Sequence, residues 1–344
     1  MADTKELLDT NKLVTDVLGT IEREREREIV ARRFGLFDRK ETLEQIGELL
    51  GITRERVRQL EKAIVIRLRS HGDKLPHIPE VQDKIVAHLQ PLGGAARISD
   101  ISAVMTPENT KLDQARLVFL TELCPKLATI EENDFYHAAV GITSLHDEKA
   151  MKTQIEAIIK AVEKIGQPAT IDKVAAKAGM TDVKQTEALA GISKQLATLN
   201  AQWGLVKWPV VNPKNIRDKI YVILKQSGHH MHFNEIAEAI KDSDFKRKDV
   251  TTQAIHNELI KDKRFVLIGR GIYALKEWGY EKGTVTDIIA RVLREAGEPL
   301  HRDEIVRRVL KSRFVKETTI LLNLQGKPQF KRVAKATYDL ADQE

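Results

Sequence analysis

Apolar residues recur every three or four positions at the start of successive stretches of the chain, as on the inward face of an amphipathic helix. The clearest series are Ile155, Ile158, Ile159 and Val162, then Ile220, Ile223 and Leu224, then Ile288, Ile289, Val292 and Leu293. A glycine-bearing turn follows and precedes a second short helical pattern. These glycines, Gly94, Gly166, Gly228 and Gly297, lie 72, 62 and 69 residues apart. The spacing predicts a repeat of about 65 residues.

Each repeat closes on short runs of β-branched and aromatic residues around a polar turn. In the clearest run, residues 264–275, such residues flank Gly269-Arg270-Gly271 as in a β-hairpin. Weaker runs lie at 128–138, 203–209 and 330–340. A helix, a turn, two helices and a hairpin follow one another in this order in a winged-helix module. The match is best for the last two repeats and poorest for residues 76–144.

Breaks rich in proline, glycine and polar residues divide the chain further. They lie near residues 75–79, 144–149, 212–214 and 281–283. The predicted fold class is mainly α, with a helix-turn-helix head followed by tandem winged-helix (α+β) modules. We expect the head at 1–75, a divergent, acidic winged module at 76–148, and further winged modules at 149–214, 215–282 and 283–344. A length of 344 residues fits several small modules better than one fold.

Residues 42–68 form the most informative stretch. Thr42 and Gln45 form a capping box that starts a helix, and Gly51 supplies the left-handed backbone needed to end it. Thr53 caps a second helix. The expected inward residues are Leu43, Ile46, Leu49 and Leu50 on the first helix, and Val57, Leu60, Ile64 and Leu68 on the second. This is the pattern of a helix-turn-helix.

The opposite face of the second helix carries side chains that can read DNA. Arginine pairs with guanine, glutamine with adenine, and glutamate accepts from cytosine. The outward set is Arg54, Glu55, Arg58, Gln59 and Lys62, and cations suited to phosphates are Arg56, Lys62, Arg67 and Arg69. A solvated surface helix with charge pairs is the simpler alternative. That alternative does not predict the glycine turn, the capping box and the outward set together.

The strings Arg32-Arg33-Phe34-Gly35-Leu36, Thr42–Gly47 and Thr53–Glu61 closely resemble region 4 of primary-type bacterial sigma factors. In that family this domain reads the promoter −35 element in the major groove and docks on the β flap of RNA polymerase. The resemblance implies that Arg54, Glu55 and Gln59 contact bases. It implies that Arg56, Arg58 and Lys62 lie near the DNA backbone or an adjacent activator.

Two features depart from this family. The run of alternating charge at residues 21–29 replaces part of the family's first helix, so it either alters the flap-binding cleft or forms a solvated helix face. In addition, no later segment resembles the region that melts and holds the −10 element. We therefore do not expect a complete sigma factor.

Residues 216–280 resemble a HARE-type helix-turn-helix domain, the winged fold also found at the N-terminus of the polymerase delta subunit. The likeness rests on Phe233–Ala237, Thr252–Leu259 and Phe265–Trp278, and residues 284–340 repeat the plan more faintly. It nominates these DNA contacts: Lys246, Arg247, Lys248, Lys261, Lys263, Arg264, Arg270, Arg313, Lys316, Lys331 and Arg332. Winged modules also bind proteins, so both roles stay open.

Composition and charge narrow the function classes. The net charge is +6, and the regional balances are +1, −5, +4 and +6 for residues 1–75, 76–150, 151–214 and 215–344. The basic C-terminal half suggests a polyanionic partner. Cys124 is the only cysteine, which excludes an intramolecular disulfide and a multi-cysteine zinc site. His229, His230 and His232 lack partners at ligand spacing. We expect no cofactor, no metal, no membrane span and no catalysis, in a cytoplasmic, nucleoid-associated protein.

Three functions fit these observations. The first is a DNA-binding transcription factor that reads a −35-type sequence through the head, with winged modules adding contacts to double-stranded DNA or RNA polymerase. The second is a polymerase-binding adaptor or anti-sigma-like protein without sequence-specific DNA binding. The third is an enzyme that uses these modules for targeting, which is disfavoured because no nuclease motif is visible.

Overall fold

The computed structural model describes residues 7–245, 249–280 and 282–341. This part of the chain forms sixteen α-helices and four three-stranded antiparallel sheets. It divides into two compact units, Met1–Lys207 and Trp208–Glu344. The predicted mainly-α architecture, a helix-turn-helix followed by small winged modules, is confirmed.

Four helices form the head. They are α1 (Thr10–Gly19), α2 (Glu24–Phe34), α3 (Leu43–Leu50) and α4 (Arg54–Ser70). Helices α3 and α4 are the helix-turn-helix expected from the sequence. The head is followed by four modules, which we name by their predicted bounds W1 (residues 76–148), W2 (149–214), W3 (215–282) and W4 (283–344); the first helix of W2 begins one residue before its predicted bound.

W1 and W2 belong to the first unit, W2 up to Lys207. W1 contains α5 (Ile78–Leu89), β1 (Ala95–Arg97), α6 (Ile98–Met105), α7 (Lys111–Leu123), β2 (Leu127–Ile130) and β3 (Ala139–Ile142). W2 contains α8 (Glu148–Ile165), β4 (Ala169–Thr170), α9 (Ile171–Ala178), α10 (Val183–Ile192), β5 (Leu196–Leu199) and β6 (Gln202–Leu205).

W3 and W4 belong to the second unit. W3 contains α11 (Ile216–Ser227), β7 (Met231–His232), α12 (Phe233–Asp242), α13 (Thr252–Lys261), β8 (Phe265–Gly269) and β9 (Ile272–Leu275). W4 contains α14 (Val285–Ala296), β10 (Leu300–His301), α15 (Arg302–Ser312), α16 (Glu317–Gly326), β11 (Phe330–Ala334) and β12 (Thr337–Leu340).

All four modules share one plan. In each sheet the last strand lies in the middle, between the short first strand and its hairpin partner. The expectation that W1 is the poorest match was wrong, because W1 has the same elements in the same order. Its hairpin strands, β2 and β3, are joined by an eight-residue loop, and a tight-turn signal between them is therefore missing.

The hairpin of W2 also differs from the prediction. The expected strand region, 203–209, covers only part of β6 and misses β5. The turn is formed by Asn200 and Ala201, which both have positive φ (50° and 57°). Alanine gives no sequence signal for this conformation, since glycine, asparagine and aspartate are the usual residues there. The hairpins of W3 and W4 were predicted correctly.

One hydrophobic core joins the head to W1. It contains Val14 and Val17 of α1, Ile64 and Leu68 of α4, and Leu117, Phe119 and Leu120 of α7, all fully or nearly fully buried. Phe34 of α2 meets Phe119 edge to face, with ring centroids 5.1 Å apart. The hydrophobic core is continuous across residue 75, so the domain boundary predicted there remains a prediction.

W1 and W2 also interlock. The amide of His137 donates to the carbonyl of Ile192 at 2.9 Å, and that of Lys194 donates to the carbonyl of Phe135 at 2.8 Å. Gly93 lies against the start of α10, where an added Cβ would come within 2.5 Å of the Gln185 nitrogen. Helix α10 is therefore held between its own module and W1.

Candidate nucleic-acid interface

Helix α4 is positioned by the capping interactions predicted from the sequence. The Thr42 amide donates to Gln45 Oε1 (2.9 Å), and the Gln45 amide donates to Thr42 Oγ1 (3.2 Å). Gly51 ends α3 with φ 64°. Thr53 Oγ1 then accepts from the Arg56 amide at 3.2 Å and starts α4. These contacts fix the entry of α4 beside α3.

Gly47 of α3 lies against this turn, and its role was not predicted from the sequence. It is buried in the middle of α3 with ordinary helical φ, and an added Cβ would lie 2.7 Å from the Ile52 carbonyl oxygen. The close approach of the turn to α3 therefore needs a glycine. A glycine inside a helical pattern costs about 1 kcal/mol relative to alanine, and this was the available signal for a packing role.

The inward faces were mostly predicted correctly. Val57, Ile64 and Leu68 are buried, and Ile46 is fully buried on α3. The prediction that Leu49 points inward was wrong, because its side chain is 54% exposed. The inward stripe of α3 is narrower than expected, since this helix packs on α2 and α4 through Leu43, Ile46 and Leu50.

The predicted outward set lies on the surface of the first unit. All six predicted contact residues in the first half of α4 are exposed: Arg54, Glu55, Arg56, Arg58, Gln59 and Lys62. Exposure of one helix face is the first requirement for insertion into a major groove, which is about 12 Å wide. Contact of these residues with DNA remains a prediction.

Three outward side chains bond to one another in the free chain. Arg58 donates to both carboxylate oxygens of Glu55 at 2.9 and 2.7 Å, and Gln59 Nε2 donates to Glu55 at 3.3 Å. The hydrogen bonds from Arg58 lower the pKa of Glu55 to about 2. Glu55 is therefore an ionised hydrogen-bond acceptor at neutral pH. Because the pair is exposed, solvent screening makes it easy to separate.

The two cations at the far end of α4, Arg67 and Arg69, already have partners in the free chain. Arg69 donates to the main-chain carbonyls of Glu122 and Leu127 in W1, at 2.8 and 2.6 Å. Arg67 pairs with Glu26 of α2 at 2.5 Å. Arg69 is thus bound to main-chain carbonyls of W1, and Arg67 is exposed but paired, so a role of either at the DNA backbone remains a prediction.

The run of alternating charge at residues 21–29 is not solvated throughout. Ile21 and Glu26 are buried, and Glu26 receives the Arg67 pair. Arg25 donates to the Leu50 carbonyl at 2.6 Å and so caps the end of α3. This run therefore helps to hold the helix-turn-helix together. The sequence suggested a solvated face because the partners of Glu26 and Arg25, which are Arg67 and the Leu50 carbonyl, lie far along the chain.

The residues nominated as DNA contacts in W3 and W4 differ in their exposure. Lys261, Lys263, Arg270, Lys316 and Arg332 are exposed, Lys331 is half-buried, and Lys246, Arg247 and Lys248 lie outside the described residues. Arg264 and Arg313 are instead partly buried and have partners within the second unit, and their contact with DNA remains a prediction. Arg264 pairs with Asp262 and Asp218 and lies over the Tyr221 ring, 5.2 Å from its centroid. Arg313 donates to the Leu267 carbonyl (2.6 Å), and burial lowers its pKa.

The third helices of W1 and W2 are covered. Helix α7 packs against α1, α2 and α4, and α10 packs against β1 of W1. In winged-helix proteins this helix usually enters the DNA groove, so W1 and W2 cannot use it in that way here. The exposed third helices among the described residues are α13 of W3 and α16 of W4.

Residues 23–70 match the family described as Sigma-70, region 4. The head is similar to sigma region 4. Over 58 residues the chain is 45% identical to RNA polymerase sigma factor sigB of Arabidopsis thaliana, and over 55 residues it is 49% identical to RNA polymerase sigma factor SigA of Bacillus sp. These alignments cover 17% and 16% of this chain, but only 9% and 14% of the two relatives. The match confirms the resemblance for the head alone.

The described residues offer little for metal binding or for reactive-cysteine chemistry. Within the described ranges, His, Cys, Asp and Glu side chains do not gather in groups of three or more suited to a metal ion. His229 bonds to the Ser227 carbonyl, and His232 caps α12. Cys124 is buried, which raises the pKa of its thiol to about 12. In the same part of the chain, every helix is too short or too polar to cross a bilayer.

Proposed function

We propose that this chain is a DNA-binding transcription factor whose head reads a −35-type promoter sequence with α4. The observation that carries the proposal is the exposed face of α4, with Arg54, Glu55 and Gln59 displayed beside a turn fixed by Gly47 and Gly51. These three side chains have the donors and acceptors that distinguish bases in the major groove. The match of residues 23–70 to Sigma-70, region 4, supports the same role.

The packing of the head supports this choice of face. Helices α1 and α7 cover the apolar side of α2 and α4, so this side is closed in the described structure. The face that remains open is the polar one. We further propose that the winged modules, W3 with its HARE-like sequence included, add contacts to DNA or RNA polymerase, and that the chain works in the cytoplasm, near the nucleoid, without catalysis.

Selection of bound duplexes from a random DNA pool tests base reading. We expect the full chain to enrich a short sequence, and Gln59→Ala to relax the preference at one position of it. Gln167→Ala, an exposed glutamine of W2, is the matched control and should leave the selected sequence unchanged. If Gln59→Ala selects the same sequence as the unmodified chain, base reading by α4 is wrong.

The second candidate is a polymerase-binding adaptor without sequence-specific DNA contacts. The observation in its favour is the set of hydrogen bonds among Glu55, Arg58 and Gln59, which occupies base-reading groups in the free chain. Co-purification with RNA polymerase that survives nuclease and high salt, without enrichment of any DNA sequence, would support the adaptor. Loss of the polymerase under these conditions would count against it.

A further inference from the structure

The four hairpin wings occupy the same position in their modules but carry different charges. The wing loop of W1 holds Glu131, Glu132 and Asp134, and the turn of W2 is the uncharged pair Asn200-Ala201. The wing of W3 carries Arg270 alone between its two strands. Since the topology is the same in all four modules, this difference in charge comes from sequence and not from fold.

The wing of W4 is the basic one. Lys327 lies at the end of α16, Arg332 lies in β11, and Lys335 lies in the turn before β12. All three side chains are exposed, and the sequence from Lys327 to Tyr338 contains no acidic residue. Lys331 of β11 is half-buried and lies opposite Asp339 of β12 in the antiparallel register. The wing therefore carries a concentrated positive charge.

Neighbouring cations of the same module are placed differently. On α15, Arg307 and Arg308 both bond to Glu304, at 2.8 and 2.6 Å, and these bonds lower the pKa of Glu304 to about 2. Among the ion pairs of the described residues, none involves Lys327, Arg332 or Lys335. These three exposed cations thus have no ion pair with carboxylates of the described residues.

We propose that the W4 wing, formed by Lys327, Arg332 and Lys335, binds the phosphate backbone of duplex DNA independently of sequence. The proposal rests on the proposed function, because it assigns the backbone contact of a chain whose head reads bases. Lysine and arginine contacts to phosphates position a protein on DNA but carry no sequence information. Release of condensed counterions makes such contacts strongly salt-dependent.

The other wings fit this role less well. The carboxylates of the W1 loop would repel phosphates, and the third helices of W1 and W2 are covered. In W3, Arg264 is held by Asp218 and Asp262 at the base of the wing. Between the end of α13 and β9, W3 has two exposed cations, Lys263 and Arg270, beside the acidic Asp262, whereas the corresponding stretch of W4 has three and no acidic residue. The basic wing of W4 is therefore the strongest candidate in the second unit for a backbone contact.

The test compares the full chain with the triple variant Lys327→Gln, Arg332→Gln, Lys335→Gln. Affinity is measured over a range of salt concentrations on a duplex of random sequence and on one that carries the sequence selected by the head. We expect the variant to bind both duplexes about tenfold more weakly or worse. The slope of log affinity against log salt should become shallower by about two to three, since each phosphate contact contributes about 0.9.

A matched control removes three exposed cations from α15 of the same module: Arg307→Gln, Arg308→Gln, Lys311→Gln. We expect less than a twofold change for this control, and unchanged thermal melting for both variants, because the substituted side chains are exposed. The proposal is overturned if the wing variant binds within twofold of the unmodified chain, or if the control loses as much affinity. It is also overturned if the wing variant loses only binding to RNA polymerase.

The outcomes separate this proposal from the proposed function. If the chain shows no sequence preference but the wing variant still loses affinity for DNA, the base-reading head is wrong and the basic wing stands. If the selected sequence is recovered with the wing variant at unchanged affinity, the head stands and the basic wing is wrong.

Discussion

Two cations of α4 have different environments and should behave differently when they are removed. Arg69→Ala leaves the carbonyls of Glu122 and Leu127 without their donor, which should lower the free energy of unfolding by about 1–3 kcal/mol. Lys62 is exposed, so Lys62→Ala should leave stability nearly unchanged and make the salt dependence of DNA binding shallower by about 1. Chemical denaturation and salt-titrated binding of both variants measure this. A shallower salt slope for Arg69→Ala would show that Arg69 also contacts the DNA backbone.

Glu55 should remain ionised at every pH at which DNA binding is measured, because its pKa is about 2. Its pKa is lowered to about 2, so the stability that its pairing with Arg58 contributes is fully present above pH 4.5, the ordinary value, and is lost only as pH falls toward 2. We expect the base preference that depends on Glu55 to be the same at about pH 5.5 and about pH 8. Selection at both pH values measures it. Glu55→Gln, which imitates the protonated form, should change that preference at both.

The candidate site could be predicted from sequence as far as it depends on local geometry. Glu55 and Gln59 were assigned to the outward face because helical periodicity fixes which residues oppose Val57 and Ile64. The bonds of Arg69 were not predicted because its acceptors lie more than 50 residues away in W1. The sequence alone gives no information on such partners.

At the level of elements, the turn between α3 and α4 depends on two glycines for different reasons. Gly47→Ala would place a Cβ 2.7 Å from the Ile52 carbonyl oxygen, so we expect it to lower the free energy of unfolding by about 1–3 kcal/mol. Gly191→Ala in α10 is the control, because its Cβ meets nothing within 4 Å and alanine favours a helix by up to about 1 kcal/mol. Thermal or chemical unfolding measures both. Equal effects of the two changes would contradict the packing role of Gly47.

Elements with explicit local signals were predicted, and those without them were missed. Helices α3 and α4 were found because Thr42, Gly51 and Thr53 carry capping and turn signals. Strand β5 was missed because Asn200-Ala201 adopts left-handed backbone without a glycine. In W1 the hairpin was hard to recognise, because the eight residues between β2 and β3 carry no tight-turn signal. Local chemistry therefore accounts for most of the elements, and unusual turns account for the errors.

At the level of the whole molecule, the head depends on W1 for its core. A fragment of residues 1–75 would expose Val14, Val17, Ile64 and Leu68, and leaving each such side chain in water costs about 1.5–3 kcal/mol. We expect this fragment to lack a cooperative thermal transition, and a fragment of residues 1–207 to show one. Circular dichroism on heating measures both. A cooperative transition of the short fragment would show that the head folds without W1.

The shared core also imposes an order of events during synthesis. Helix α4 ends at Ser70, but the residues of α7 that cover its apolar side end at Leu123, some fifty positions later. At about 5–20 residues per second, a translating ribosome needs about 3–10 seconds to supply them. During that interval the apolar side of α4, with Ile64 and Leu68, remains exposed to solvent in the nascent chain. Chaperones that bind exposed apolar segments should therefore meet this protein before α4 is fully packed.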